Sequence, residues 1–251
     1  MKDRPVLPAG YRLDVHDSLD STNAEAERQA RAGAPDGTVI QARRQTAGRG
    51  RQGRVWESPE GNLYCSVILR PDVPPAAAAQ LTFVTALALG EAIDDVRPTG
   101  TELAFKWPND LLLDERKLAG ILLESSGSGN GRLDWLVIGC GLNIRHFPET
   151  ASGYPATSLH AAGAEDLEPG ALLAAFLHAF AVWRARWQDE GLAPVREAWL
   201  SRAARIGGEI TVRLPWDELR GRFTGLDETG ALLLDLPDGS RRTVTAGDVF
   251  F

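Results

Sequence analysis

The sequence predicts an α/β (α+β) domain over residues 1–205 followed by a small all-β module over residues 206–251. Three observations carry this. Up to about residue 205, short alternating or apolar runs interleave with stretches of helical period. From Gly207 the pattern becomes four short β segments separated by turn clusters. A chain of 251 residues, 43% hydrophobic, can bury one good core but only a small second one.

The elements follow in chain order. After a short extended lead-in, Thr22 followed by Glu25 fits a capping box, and Ala24 to Ala32 reads as a helix stopped by Gly33. Asp36-Gly37 turns the chain into a strand, Thr38 to Arg43, and Asn62 to Arg70 is the next strand. Pro71, Pro74 and Pro75 end it, and Ala76 to Asp94 is one helix with Leu81, Val84 and Leu87 on its buried side. Glu102 to Trp107 and Leu111 to Leu113 are short strands around a Pro108-Asn109-Asp110 turn. Asp114-Glu115-Arg116 makes a hairpin into Lys117 to Ser125. Ser126 to Arg132 is a Gly/Ser loop, and Trp135 to Ile144 is an apolar strand interrupted by Gly139 and Gly141, which suggests close approach of backbone or ligand. Arg145 to Thr157 reads as a covering loop or a connector. Pro169 opens a long helix to Glu190 whose stripe Leu172, Phe176, Phe180, Trp183 and Trp187 is core, and Pro194 to Arg202 is a shorter helix. The β segments of the last module are Glu209 to Leu214, Arg220 to Leu226, Ala231 to Leu236 and Arg241 to Thr245. At about 45 residues it is too small for a large core and is expected to lean on the main domain.

Composition narrows the function classes. The formal net charge is −7 and the pI about 5.2, opposite to the balance of most nucleic-acid-binding proteins. Cys65 and Cys140 each sit in an apolar run and are read as buried thiols, not as a disulfide or nucleophile. The first residues lack the apolar core of a secretory signal and no stretch approaches transmembrane length, so the expectation is a cytoplasmic protein without membrane contact. His16, His146, His160 and His178 are scattered, so no protein metal site is expected.

Two stretches carry the chemistry. Gln45-Thr46-Ala47-Gly48-Arg49-Gly50-Arg51-Gln52-Gly53-Arg54-Val55-Trp56 places arginines among glycines and ends on an indole. Guanidinium forks match paired phosphate or carboxylate oxygens, and glycine lets backbone N–H groups approach an anion. Such like-charge crowding, with Arg43 and Arg44 beside it, calls for a compensating anion. Lys106-Trp107-Pro108-Asn109-Asp110 and Arg116-Lys117-Leu118-Ala119-Gly120 add two point charges, although a lysine flanking a hairpin is, taken alone, expected in solvent. Together these parts suit a site for a nucleoside triphosphate and a second anion. Neither a Gly-x-x-x-x-Gly-Lys-Ser/Thr loop nor a Gly-x-Ser-x-Gly elbow is present, so ATP chemistry needs another cradle. Ser21, Thr22 and Asn23 either only cap their helix or also bind a polar ligand. Trp56 is either core or a base-stacking ring.

These blocks, with Asn62-Leu63-Tyr64 and Gly139-x-Gly141-x-Asn143, come in one order that resembles the bacterial biotin protein ligases from about Leu13 to Ile144, and more loosely through Gly247-Asp248-Val249-Phe250. The resemblance implies a class II synthetase-like, biotin/lipoate ligase catalytic domain with a mixed sheet, then an SH3-like domain. It implies that ATP and biotin give biotinyl-5′-AMP and pyrophosphate, with Mg²⁺ assisting, and that a lysine of the biotin carboxyl carrier protein of acetyl-CoA carboxylase then attacks the adenylate. Matched position by position, Ser21, Thr22, Asn23 and Gln45 would bind the biotin head group. Arg49, Gly50 and Arg51 would close over biotin and phosphate, and Lys117 would reach the biotin carboxylate and α-phosphate. Trp56 and Asn143 would contact adenine, with Lys106 and Asn109 also on the ATP side. Asn109 and Asp110 would lie by the reacting centre, Asp110 as a candidate base for the acceptor lysine.

Two departures stand out. About twenty residues precede Ser21, too few for the DNA-binding helix-turn-helix of many relatives, so no operator binding is expected. Ser58-Pro59-Glu60-Gly61-Asn62-Leu63 has one Gly where the family often has two. A ligase for lipoate or another acid on the same fold, and a non-enzymatic nucleic-acid binder, are the competing readings. The family's habit of pairing sheet edges raises a homodimer.

Overall fold

In the computed structural model, the described residues are 6–127, 131–149, 154–165 and 167–251. A seven-stranded sheet is built from β1 (Arg12–Leu19), β2 (Thr38–Gln45), β3 (Leu63–Leu69), β4 (Leu103–Lys106), β5 (Asp110–Leu113), β6 (Arg116–Gly127) and β7 (Leu133–Leu142). Its spatial order is β1-β2-β3-β7-β6-β5-β4, with β1 parallel to β2 and every other neighbour antiparallel, the mixed sheet that the resemblance implied. Helix α1 (Thr22–Arg31) packs Ala26 and Ala30 on Ile40, Ile68, Trp135 and Val137 of one face. Helices α2 (Pro75–Ala78), α3 (Leu81–Asp94), α4 (Pro169–Glu190) and α5 (Leu192–Leu200) cover the other.

The differences from the sequence reading have local causes. The N-cap of α1 is Ser21, one residue before the expected Thr22: its side chain accepts from the Ala24 amide, and its extended φ of −155° precedes the first turn. The stretch Ala76 to Asp94 is two helices, because Ala79 and Gln80 form a tight turn after Pro75. The segment Pro75–Asp94 also reaches the length and hydropathy of a membrane span, contrary to expectation, but two-thirds of it is buried within the fold. The Asp114-Glu115 hairpin takes left-handed φ values of 48° and 60° without a glycine. Of the Gly/Ser loop, residues 128–130 lie outside the described residues, as do 150–153 of the covering loop. Tyr154 to Thr157 is a strand-like partner of Lys117, whose N–H donates to Pro155 O at 2.7 Å.

A second, five-stranded antiparallel sheet follows, in the order β11-β10-β9-β8-β12: β8 (Glu209–Arg213), β9 (Glu218–Leu226), β10 (Leu232–Asp235), β11 (Arg241–Val244) and β12 (Asp248–Phe250), the last unforeseen. It leans on the large sheet as its size required. Trp107 Nε1 donates to Gly230 O at 3.2 Å, and Gly230 lies so close to Phe83 that a Cβ there would sit 2.5 Å from the ring. The segment between α5 and β8 runs along β4, where Phe105 N donates to Arg202 O and Ala204 N to Phe105 O, both at 2.8 Å.

Cys65 and Cys140 are buried and free, opposite each other across β3 and β7; their mutual hydrogen bond and burial push the Cys140 thiol well up. The helical layer closes on Trp199, 1% exposed, edge-on to Phe83 at 5.4 Å and stacked on Phe105 at 6.1 Å. Trp199→Ala should therefore cost about 3–5 kcal/mol through the cavity it leaves; the urea unfolding midpoint, at unchanged denaturant slope, measures it.

Candidate active site

Among the described residues no helix covers the face of the large sheet beyond α1, and small residues keep it bare. Gly120 and Gly141 pair across β6 and β7, with Gly139 two residues away on β7 and Ser66 opposite it on β3. A Cβ at Gly139 would stand 2.0 Å from Asn23 Oδ1, and one at Gly141 2.6 Å from the Trp56 indole. A Cβ at Gly120 would also stand 3.1 Å from the indole, and both glycines of the β7 run are explained by close approach. The space above is a cavity of about 730 Å³ whose lining includes every residue nominated from the sequence, from Ser21, Thr22, Asn23 and Gln45 through the arginine loop to Lys106, Asn109, Asp110, Lys117 and Asn143.

At one end, the buried start of α1 is wired into a polar network. Thr22 N and Oγ1 donate to Gln45 Oε1 at 2.7 and 3.2 Å, and Gln45 Nε2 donates to Ser58 Oγ at 2.8 Å. Ser66 Oγ lies 2.8 Å from Thr22 Oγ1 and 2.6 Å from Asn23 Oδ1, while Asn23 Nδ2 donates to Glu124 Oε2 at 2.8 Å. Ser21 caps the helix and also lines the cavity, beside Thr22 and Asn23. Fixed donors and acceptors around a small pocket suit a compact polar head group better than a flexible chain.

The arginine loop leaves β2 as a narrow hairpin. Trp56 N donates to Gly48 O at 3.0 Å and Gly50 N to Arg54 O at 2.8 Å, with Gln52 at the tip in the left-handed region. The crowded charge already has partners within the protein. Arg49 donates to Glu124 at 2.8 Å; Arg51 donates to Asn109 Oδ1 at 3.0 Å and to Gly247 O at 3.2 Å. Arg54 pairs with Asp248, which also lies 3.8 Å from Arg51. Burial works against the Arg51 charge and outweighs the support of Asp248 and Asp110.

Opposite the loop, Asp110 is enclosed by both lysines. Lys106 Nζ donates to Oδ2 at 3.0 Å, and Lys117 Nζ stands 2.6 Å from Oδ1, off the hydrogen-bonding direction. Burial pushes the carboxyl up, but the Lys117 and Lys106 charges outweigh it and bring it down to about 2. A carboxylate so held is a weak proton acceptor and a strong counter-ion. Lys117, which a lone hairpin lysine would lead one to expect in solvent, points inward over the Trp56 ring at 5.4 Å. Lys106 lies 5.2 Å over the Tyr154 ring, and burial raises that phenol to about 12. The Asn143 side chain donates to Thr157 O at 3.0 Å, and Trp56 Nε1 is buried without a partner.

Sequence reasoning missed Glu124, Tyr154 and Asp248 as parts of the site. Only Asp248 left a trace, as a member of the Gly247-Asp248-Val249-Phe250 block. Glu124 is one alternating position in a long strand, and Tyr154 follows residues with no secondary-structure signal.

Comparison with known proteins agrees with the geometry. The profile of the biotin/lipoate A/B protein ligase family matches residues 15–143, and that of the biotin protein ligase C-terminal domain matches residues 206–251. A biotin–[acetyl-CoA-carboxylase] ligase of Paracoccus denitrificans is 44% identical over 236 residues, covering 92% of this chain and 97% of that protein. A bifunctional ligase/repressor of Bacillus subtilis is 35% identical, covering 94% of this chain and 73% of its own length. The Aquifex aeolicus biotin protein ligase in complex with biotin and ATP superposes with a TM-score of 0.80 at 30% identity, covering 95% of this chain and 97% of that one. On the strength of these matches, the chain belongs to the biotin protein ligase family.

Proposed function

We propose that the protein activates biotin with ATP to biotinyl-5′-AMP and transfers the biotinyl group to a lysine of a biotin carboxyl carrier protein of acetyl-CoA carboxylase. The observation that carries this reading is the convergence of Arg49, Arg51 and Lys117 on one cavity that also contains a preformed polar head-group pocket. The names of the relatives favour biotin over lipoate. Ser21, Thr22, Asn23 and Gln45 hold the biotin head group; Lys117 meets the carboxylate and the α-phosphate; Arg49, Gly50 and Arg51 close over both. Trp56, Lys106, Asn109 and Asn143 form the ATP side, where a nucleotide would meet the indole. Bringing a carboxylate onto an α-phosphate is chiefly a matter of neutralising and positioning two anions, which fixed guanidinium and ammonium groups do without reorganising.

The donor set does not fit a metal held by the protein, because Asp110, Glu124 and Asp248 are each committed to basic side chains. Mg²⁺ then enters as part of the nucleotide substrate. The catalytic domain ends at residue 205, the SH3-like module begins at 206, and the enzyme works in the cytoplasm. β4 is covered by the chain before β8, which leaves β1, among the described residues, as the open edge of the large sheet and the place for a homodimer.

The direct test is incubation with ATP, Mg²⁺, biotin and a carrier domain, read as the carrier's mass; pyrophosphate–ATP exchange that answers to lipoate and not to biotin would overturn the reading. Lys117→Ala should slow adenylate formation about 10²-fold or more in single turnover. Arg49→Ala should leave adenylate forming but leaking, seen as biotinyl-5′-AMP in the filtrate. Gly139→Ala drives a methyl into Asn23 and should raise the KM for biotin more than that for ATP, by steady-state kinetics. Asp110 has its folded pKa depressed from the usual 3.8 to about 2, so the stability it contributes is fully present above pH 3.8 and is lost as pH falls toward 2. Urea midpoints across that window should fall, and less steeply in Asp110→Asn.

A further inference from the structure

The sequence contains three lysines, Lys2, Lys106 and Lys117, against twenty-four arginines. Two of the three face the cavity in which, on the proposed reading, an acyl phosphate is made. A mixed anhydride acylates any neutral amine within reach: the nitrogen lone pair attacks the acyl carbon, an amide forms, the acyl–oxygen bond breaks, AMP departs and the amine proton goes to solvent. Lys117 would be the most exposed to this hazard, since its role places Nζ beside the reacting carboxyl.

The structure shows how both amines are occupied. Lys106 and Lys117 address the two oxygens of the one buried carboxylate, Asp110, at 3.0 and 2.6 Å. Lys106 is also covered by Tyr154 and Lys117 by Trp56, two ring faces that favour a cation. Arg51 and Tyr154 are the other titratable groups whose fields reach Asp110, and neither takes its place: Arg51 repels cations and the Tyr154 phenol is neutral at working pH.

We propose that Asp110 is a positioning residue that selects the nucleophile: by holding the Lys106 and Lys117 ammonium groups in ion pairs with its carboxylate, it withholds both amines from the adenylate and reserves the acyl group for the incoming carrier lysine. The scarcity of lysine elsewhere in the chain serves the same end, since arginine guanidinium groups do not become neutral nucleophiles. This rests on the ligase reading, and the test separates the two.

Wild type and Asp110→Asn are incubated with biotin, ATP and Mg²⁺ without carrier, at pH 7 and pH 9. Pyrophosphate release is followed, and the protein is read by intact mass and peptide mapping. Removing the carboxylate takes away the one charged partner that both amines share. Asp110→Asn should therefore gain biotinyl groups at Lys106 or Lys117 at least ~10-fold faster than wild type, and Lys106→Arg or Lys117→Arg in that background should remove the corresponding peptide. Acylation only at Lys2 or the N-terminal amine, equal in both proteins, overturns the proposal. If Asp110→Asn makes no adenylate, synthetic biotinyl-5′-AMP supplied to both proteins gives the same comparison. Far-ultraviolet circular dichroism establishes that the variant is folded. A wild type that releases no pyrophosphate with biotin defeats the ligase reading instead, and wild type that acylates Lys117 as fast as the variant defeats only this one.

Discussion

The site depends on a patch of sheet that carries almost no side chains. Strands β6 and β7 lie inside a seven-stranded sheet and pair antiparallel, an arrangement that needs large apolar residues on one face only. On the helix-covered face they have them: Leu118, Ile138, Cys140 and Leu142 are all buried. On the other face Gly120, Gly139 and Gly141 leave the backbone bare, and the indole of Trp56 and the amide of Asn23 descend onto it. Space for a ligand is thus left by missing side chains within the sheet itself, and its floor cannot move without breaking ladder hydrogen bonds.

Around that floor the charges are arranged in opposed pairs. The arginine hairpin is tied to Glu124 on one side and to Asn109 and Asp248 on the other, and the two lysines are tied to Asp110. Arg49, Arg54, Lys106 and Lys117 are each held by a carboxylate. Charge that would repel itself in an empty pocket is neutralised locally, and a ligand meets groups already fixed in place instead of assembling the site afresh.

Much of this was legible because it rests on short-range chemistry. The glycines of β7 announced close approach, and the density of arginine between Gln45 and Trp56 announced a need for counter-charge, part of which Glu124 and Asp248 supply. The order of the blocks then linked segments sixty residues apart. What stayed hidden depended on the third dimension. Glu124 is one acidic residue in an alternating strand, and only the register of β6 against β7 aims it at Asn23 and Arg49. The shift of the cap from Thr22 to Ser21 and the split of the long helix at Ala79-Gln80 are one-residue matters, decided by backbone geometry that propensity does not resolve. Strand β12 is three residues long and exists only because β8 lies beside it.

That late strand has a consequence for biosynthesis. The carboxylate of Asp248 steadies the arginine hairpin, yet it is joined to the chain almost two hundred residues after Arg51. Because a polypeptide emerges from the ribosome amino end first, the large sheet and its basic groups can fold while the hairpin still lacks this anchor. A nascent chain would hold the pocket with one side untethered until Asp248 had emerged and β12 had paired with β8.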